Sequence, residues 1–502
     1  MVELPVHGTE VCILMIQAGN KCMLISCTAC FKASNGDIEN APAIDSLPSF
    51  EISEKNGSVY ITGEEQSIKG SRRKPNVKIS GASGPEKVVV VGLGSGGLTT
   101  IEALRESGFK GSITVIGSEP YLPIDRTKLS KALIDDPKKI ALRDEAWFSE
   151  GGINVVQDEV SKIDFSSKKV STKSGSSFPY TKLVLATGGS PKNLPLPGFK
   201  ELDNIFMLRT IPHVQQIVKA IGDKRKKIVV IGSSFIGMEV ANATSKDNDV
   251  TVVGMEKAPL ERVMGEEVGR IFQKALEKNG VKFKLDAGVE KALPSKSDSS
   301  KVGSIELKDG TSLPADLVIL GTGVSPQTTF LKDNDAVTLE KDGSLKVDEN
   351  FSVSGLQDVY AIGDIATYPY HGPGGNGKPV RIEHWNVAQN SGRSVAAHII
   401  DSNARPKPFI PIFWSALGSQ LRYCGHTPEG YDELILKGQP EESKFVAYYT
   451  KGETVVAVAT MGTDPVMTQS SELMRRGVMP SKSDIKKGVD VMTIEIPAEV
   501  TI

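Results

Sequence analysis

Lys87-Val88-Val89-Val90-Val91-Gly92-Leu93-Gly94-Ser95-Gly96-Gly97 is the stretch that decides the fold. Its first five residues form a short apolar run without alternation, as expected of a strand buried on both faces of a parallel sheet. Gly92, Gly94 and Gly97 then satisfy G-x-G-x-x-G, and an Ala/Leu-containing helical stretch runs on to about Ser107. A turn of this kind lets the backbone approach a pyrophosphate, whose charge the helix N-terminus stabilises. A second apolar strand follows from Ile113 to Ile116 and leads to Glu119, placed to accept the hydroxyl hydrogens of an adenosine ribose.

The same unit recurs further along the chain. Lys227 to Ile231 leads into Gly232-Ser233-Ser234-Phe235-Ile236-Gly237, a helix through Met238 and Ala241, and the strand Val250 to Val253. Two copies imply two dinucleotide folds. Ser234 replaces the middle glycine, so either affinity falls or its hydroxyl joins the binding. Glu256 ends the second strand, where a carboxylate hydrogen-bonds a ribose and repels a 2′-phosphate. At about 4 Å and an effective dielectric near 20 that repulsion is roughly 4 kcal/mol, an upper guide to a preference for NADH over NADPH. Lys257 and Arg262 lie close enough to blunt it. Further buried-strand runs end in glycine at Leu183 to Gly189, Leu317 to Gly323 and Val359 to Asp364, each where a parallel sheet places its ligands.

A chain of 502 residues exceeds one core and predicts several domains. Nearly balanced totals of 59 basic and 61 acidic residues leave a net charge of -2, which favours neither nucleic acid nor anionic lipid as a partner. No apolar run is long enough for a membrane span. The N-terminus lacks the pattern of a secretory signal or transit peptide, which points to the cytoplasm, with mitochondrial association left open. The five cysteines fall at 12, 22, 27, 30 and 424, too few and too clustered for a disulfide framework. The polar and basic stretch 63–85, with Arg72, Arg73 and Lys74, reads as a solvated linker between residues 1–62 and the body. From Arg405 the glycine punctuation stops and alternating apolar residues appear, as in KFVAYYT, so 405–502 is expected to be an α+β domain.

Two dinucleotide sites in one chain imply a fixed cofactor and an exchanging nicotinamide. Tyr121-Leu-Pro-Ile-Asp-Arg126-Thr-Lys128-Leu-Ser130-Lys131, the Gly363-Asp364 turn and Glu383-His384-Trp385 follow in order, and with the two glycine turns they resemble the apoptosis-inducing factor and oxygenase-type ferredoxin reductase flavoproteins. The resemblance implies an α/β fold with two Rossmann-like, glutathione-reductase-like domains, FAD on 86–208 and 335–404, NAD(H) on 209–334, and the C-terminal domain beside the flavin. It implies that Asp364 binds the ribitol and that Arg126 and Arg209 contact the flavin nucleotide. It places Lys131 beside the isoalloxazine with Glu239 as its partner, and Trp385 at the flavin face. Further cofactor contacts are implied for Val160, Thr187, Gly188, Gly323, Gly363, Phe235, Ile236 and His384. A cation at that position favours the reduced flavin anion. The alternatives are a surface salt bridge for Lys131 and core packing for Trp385.

Disulfide reductases of similar design need a reactive cysteine pair at the flavin, yet between Phe31 and Tyr423 there is none. The expected activity is therefore FAD-dependent NAD(P)H oxidation with an external acceptor: a ferredoxin-like protein, a quinone or a small oxidant. A monodehydroascorbate reductase-like enzyme and a slow-turnover NADH sensor are the alternatives, and a homodimer is compatible with the resemblance. The segment from Cys30 through Asn35-Gly36-Asp37 to Phe50 resembles the end of a Rieske domain like that of fungal family members. Its Cys-x-His and Cys-x-x-His pairs are missing; Cys27 and Cys30, with Cys22, are a weak remnant metal set. The expectation is that the [2Fe-2S] cluster is lost and that the chain binds no metal.

Overall fold

The computed structural model describes residues 83–417 and 420–496, and before them 2–5, 21–23, 30–32, 35–48, 50–55, 58–63 and 72–79. The valine run folds as β1 (Lys87–Val91), with all four valines buried. It is followed by helix α1 (Ser95–Glu106) and β2 (Ser112–Gly117). β3 (Ile153–Gln157), β4 (Lys182–Leu185) and a strand that arrives much later, Val359–Ala361, complete an all-parallel sheet in which β1 lies between β4 and β2. Between β2 and β3 lies the short helix α2 (Thr127–Ala132), carrying Lys131.

The second unit repeats the plan. β5 (Ile205–Met207), helix α3 (Ile211–Ile221), β6 (Lys227–Ile231), helix α4 (Phe235–Ser245), β7 (Asp249–Val253), helix α5 (Glu261–Lys278), β8 (Lys282–Lys284) and β9 (Leu317–Leu320) follow in the chain. Their parallel sheet has the order β5-β9-β6-β7-β8. With Val359–Ala361 as β10, the first sheet reads β10-β4-β1-β2-β3, so β4-β1-β2-β3 corresponds to β9-β6-β7-β8, while the outer strand comes last in the first unit and first in the second. This doubling is the α/β fold expected of two dinucleotide units.

After β10 the chain forms helix α6 (Trp385–Ile400), which packs on α1 through small residues. A Cβ at Gly392 would lie 2.7 Å from the Gly96 carbonyl oxygen, so only glycine permits this approach.

The C-terminal part is an antiparallel sheet of β11 (Ile412–Ala416), β12 (Gln420–Gly425), β13 (Glu433–Gln439), β14 (Lys444–Lys451) and β15 (Thr454–Met461), ordered β11-β12-β15-β14-β13. Six consecutive residues of β14 are buried because both faces are covered. Phe445, Ala447 and Tyr449 join the core of the second unit with Met264 and Phe272. Val446 and Tyr448 pack with Met467 and Leu473 of helix α7 (Val466–Arg475). The Tyr449 hydroxyl donates to the Met264 carbonyl at 2.8 Å, tying this sheet to α5.

The stretch read as a solvated linker departs from that reading. Residues 72–79 lie against the first unit: Pro75 and Val77 are buried, and the Trp147 indole donates to the Pro75 carbonyl at 3.1 Å. Arg73 pairs with Asp37, and its backbone exchanges hydrogen bonds with Ser46. Composition suggested a free chain, but partners distant in sequence fix it. Cys12, Cys27 and His7 lie outside the described residues, and of Cys22 and Cys30 only the backbone is described. No helix among the described residues is long and apolar enough to cross a membrane.

Candidate functional site

A cavity of about 1040 Å³ runs along the carboxyl ends of β1, β2, β3, β4 and β10, reaches the start of α4 in the second unit, and is walled by β11 and β12. Its position follows from topology, since parallel strands and their helices converge loops at that edge.

At the first glycine turn each glycine meets a different demand. Gly92 has φ +106°, and a Cβ there would sit 2.3 Å from the Ala186 carbonyl oxygen. A Cβ at Gly97 would lie 2.0 Å from the Gly92 carbonyl oxygen, whereas one at Gly94 would meet nothing within 4 Å. Gly97 therefore packs behind the wall while Gly94 lines the cavity. Helix α1 begins at Gly94 with no side-chain cap and no acid in its first turn. Its orphan N–H groups form a ready anion site, and this cradle fits a dinucleotide pyrophosphate.

Glu119 lines the cavity and accepts from both Arg126 terminal nitrogens, at 3.0 and 2.5 Å, and from the Tyr121 hydroxyl at 2.5 Å. Burial alone would raise its pKa, but Arg126 outweighs burial and holds the carboxyl below its ordinary range. Arg126 also donates to the Arg209 carbonyl at 2.7 Å, so much of its donor capacity is spent on protein. Arg209 in turn pairs with Asp364 at 2.8 Å, beside Gly188 with its φ of +70°. Val160, Thr187, Gly323 and Gly363 line the same wall.

The second turn repeats the first. Gly232 has φ +105°, and Cβ atoms at Gly232 and Gly237 would lie 2.4 and 2.0 Å from carbonyl oxygens of Gly321 and Gly232. Both sit behind the cavity wall, which Ser234, Phe235 and Ile236 form. The Ser234 hydroxyl donates to the Gly321 carbonyl at 2.9 Å and makes no cap on α4. Its side chain thus turns away from the helix N-terminus, which the sequence left undecided. Glu256 lies outside the cavity lining, with Ser233 Oγ at 3.1 Å and Arg262 Nε at 2.9 Å.

Where the two units meet, Lys131 Nζ lies 2.9 Å from Glu239 Oε1. The Glu239 side chain is only 5% exposed and also accepts from Ser130 and Ser415, each at 2.5 Å. Three groups, two from α2 and one from β11, therefore converge on one carboxylate of α4. His384 and Trp385 line the cavity at the start of α6. Burial, with His426 beside it, pushes the His384 pKa down to about 4, so the imidazole is neutral near pH 7.

The wall from β11 was not legible in the sequence. Phe413 stacks on Tyr423 at 4.9 Å and meets Phe235 edge-on at 4.6 Å, while Trp414 lines the cavity and stays 37% exposed. The run Ile412-Phe413-Trp414-Ser415 was the available signal, an aromatic pair at the head of a strand. No cysteine lines the cavity among the described residues; Cys424 is buried, and burial raises its thiol pKa.

Two Rossmann turns opening on one cavity define a two-dinucleotide oxidoreductase. Residues 86–392 match the family described as pyridine nucleotide-disulphide oxidoreductase, and 412–492 match the reductase C-terminal family. The chain is 36% identical over 466 residues to apoptosis-inducing factor 3 of Homo sapiens, spanning 91% of this chain and 75% of that protein. It is 30% identical over 384 residues to rubredoxin-NAD(+) reductase of Pseudomonas putida, spanning 74% and 95%. The solved structure of the covalent putidaredoxin reductase-putidaredoxin complex aligns with a TM-score of 0.74 at 27% identity, over 82% of this chain and 99% of that one. This chain belongs to the pyridine nucleotide-disulphide oxidoreductase family, and with it is an FAD-dependent NAD(P)H oxidoreductase.

Proposed function

We infer that the protein passes electrons from NADH to an external acceptor, and that a small electron-carrier protein is the acceptor class. The observation that carries this reading is the single cavity onto which both glycine turns open, with an ion pair where the units meet and no cysteine in its described wall. Relatives named as ferredoxin or rubredoxin reductases support a carrier protein as acceptor. FAD, when bound, accepts hydride from the nicotinamide and releases the electrons again.

In this reading residues 86–208 and 335–404 hold FAD, and 209–334 hold NAD(H). The N-terminus of α1 binds the pyrophosphate, Glu119 receives the adenosine ribose, and Asp364 with Arg209 binds the ribityl side. Glu239 fixes the Lys131 ammonium at the flavin, and Ser130 and Ser415 fix Glu239. His384 stays neutral beside Phe413, so the nicotinamide side adds no second cation. Trp385, Phe413 and Trp414 present apolar surface that excludes water from the reacting face. Glu256 selects NADH, with the preference reduced by the Arg262 charge it already holds.

Stopped-flow reduction by NADH, followed by reoxidation with a ferredoxin, a quinone and the ascorbyl radical, tests this. Fast reoxidation by the ferredoxin is expected. Uniformly slow reoxidation with a long-lived NADH complex would instead mean a sensor, and preference for the ascorbyl radical a monodehydroascorbate reductase.

A further inference from the structure

The segment that resembles the end of a Rieske domain meets α6 directly and α1 through Arg143, two helices whose N-termini line the cavity. On α6, Asn390 Oδ1 accepts from the Ala41 N–H at 3.0 Å, Gln389 Nε2 donates to the Ala43 carbonyl at 3.2 Å, and Arg393 donates to the Ile38 carbonyl at 3.4 Å. Residues 38, 41 and 43 thus meet 393, 390 and 389 in turn. The strap runs antiparallel to the helix, toward the end that carries His384 and Trp385.

Arg143, with a side chain 1% exposed, joins the strap to α1. It donates to the Ile44 carbonyl at 2.6 Å, to Asp45 at 2.9 Å and to Glu102 of α1 at 2.7 Å. Asn40, Ala41 and Ser46 are buried here, and α1 and α6 touch each other through Gly96 and Gly392. The effect reaches the far wall as well, because Asn386 Oδ1 accepts from the Ile412 N–H at 3.0 Å, at the head of β11. Each of these hydrogen bonds uses a buried or part-buried partner, so water replaces none of them without loss.

We propose that residues 37–48 act as a clamp that holds α1 and α6 in the geometry that retains FAD, with Asn390 and Asp45 as positioning residues. This rests on the reading that FAD occupies the cavity.

The test compares FAD release from the full-length holoenzyme, followed by the rise in flavin fluorescence on dilution. The variants are Asn390→Ala on the helix side and Asp45→Ala on the strap side, with Gln389→Ala should Asn390→Ala fail to fold. At least a fivefold faster release is expected from both sides of the contact, together with a shift in the visible spectrum of the bound flavin. Unchanged release and an unchanged spectrum, with only a lower unfolding midpoint, would overturn the clamp and leave a merely structural contact. Wild-type protein that binds no FAD would instead overturn the reading on which the clamp rests.

Discussion

Replacing Lys131 by methionine leaves Glu239 buried without its cation, and the cost follows from the geometry. At 2.9 Å and an effective dielectric near 20 the pair attracts by roughly 6 kcal/mol. Desolvation of both groups offsets much of this, and the Lys131 side chain keeps 20% of its exposure. Losing one partner of such a pair is expected to cost about 3 kcal/mol, the low end for buried pairs because Ser130 and Ser415 still donate to the carboxylate. Glu239→Gln in the same chain removes the stranded charge while keeping its shape, so Lys131→Met/Glu239→Gln should regain about 2 kcal/mol. Urea unfolding of wild type and the two variants, read by tryptophan fluorescence and by flavin release, measures both figures. A double variant no more stable than Lys131→Met would refute the coupling.

Gly92→Ala places a Cβ 2.3 Å from a backbone oxygen at φ +106°, and the protein should purify free of flavin or fail to fold; normal flavin content by absorbance would contradict the packing. Glu256→Ala removes the repelling carboxylate and frees Arg262, and should raise NADPH use relative to NADH about tenfold in kcat/KM. An unchanged ratio would remove Glu256 from nucleotide selection. Burial, opposed by Arg143, raises the Glu102 pKa from 4.5 to about 7. The folded state therefore binds the extra proton, and this stability is fully present below pH 4.5 and lost as pH rises through 7. Glu102→Gln should gain on wild type across that window, by at most about 1.4 kcal/mol per pH unit. Parallel pH profiles of the two unfolding midpoints would contradict it.

The glycine turns were legible because their demand is local: a positive φ and a backbone approach exclude every side chain but hydrogen, whatever the rest of the chain does. Glu119 and Glu256 both stand just after the second strand of their unit, but only Glu119 lines the cavity. The partners of Glu119 within the Tyr121 to Arg126 segment were not legible, because a carboxylate that could receive a ribose can equally receive an arginine. The orientation of Ser234 depended on a carbonyl 87 residues away. Phe413, Trp414 and Ser415 reach the cavity only because the C-terminal sheet docks on the second unit, a long-range event that the aromatic pair alone does not reveal. The docking of 72–79 was hidden by composition, since the basic and polar residues that make a linker soluble also supply hydrogen bonds.

The burial of β14 on both faces limits how this molecule can evolve or be redesigned. A third domain that shares its core with the second cannot be exchanged between relatives as a cassette, because each inward residue of β14 would need a matching change in α5. Changes at Trp414, which lines the cavity and stays exposed, leave that shared core intact, whereas transplanting the domain that carries it does not.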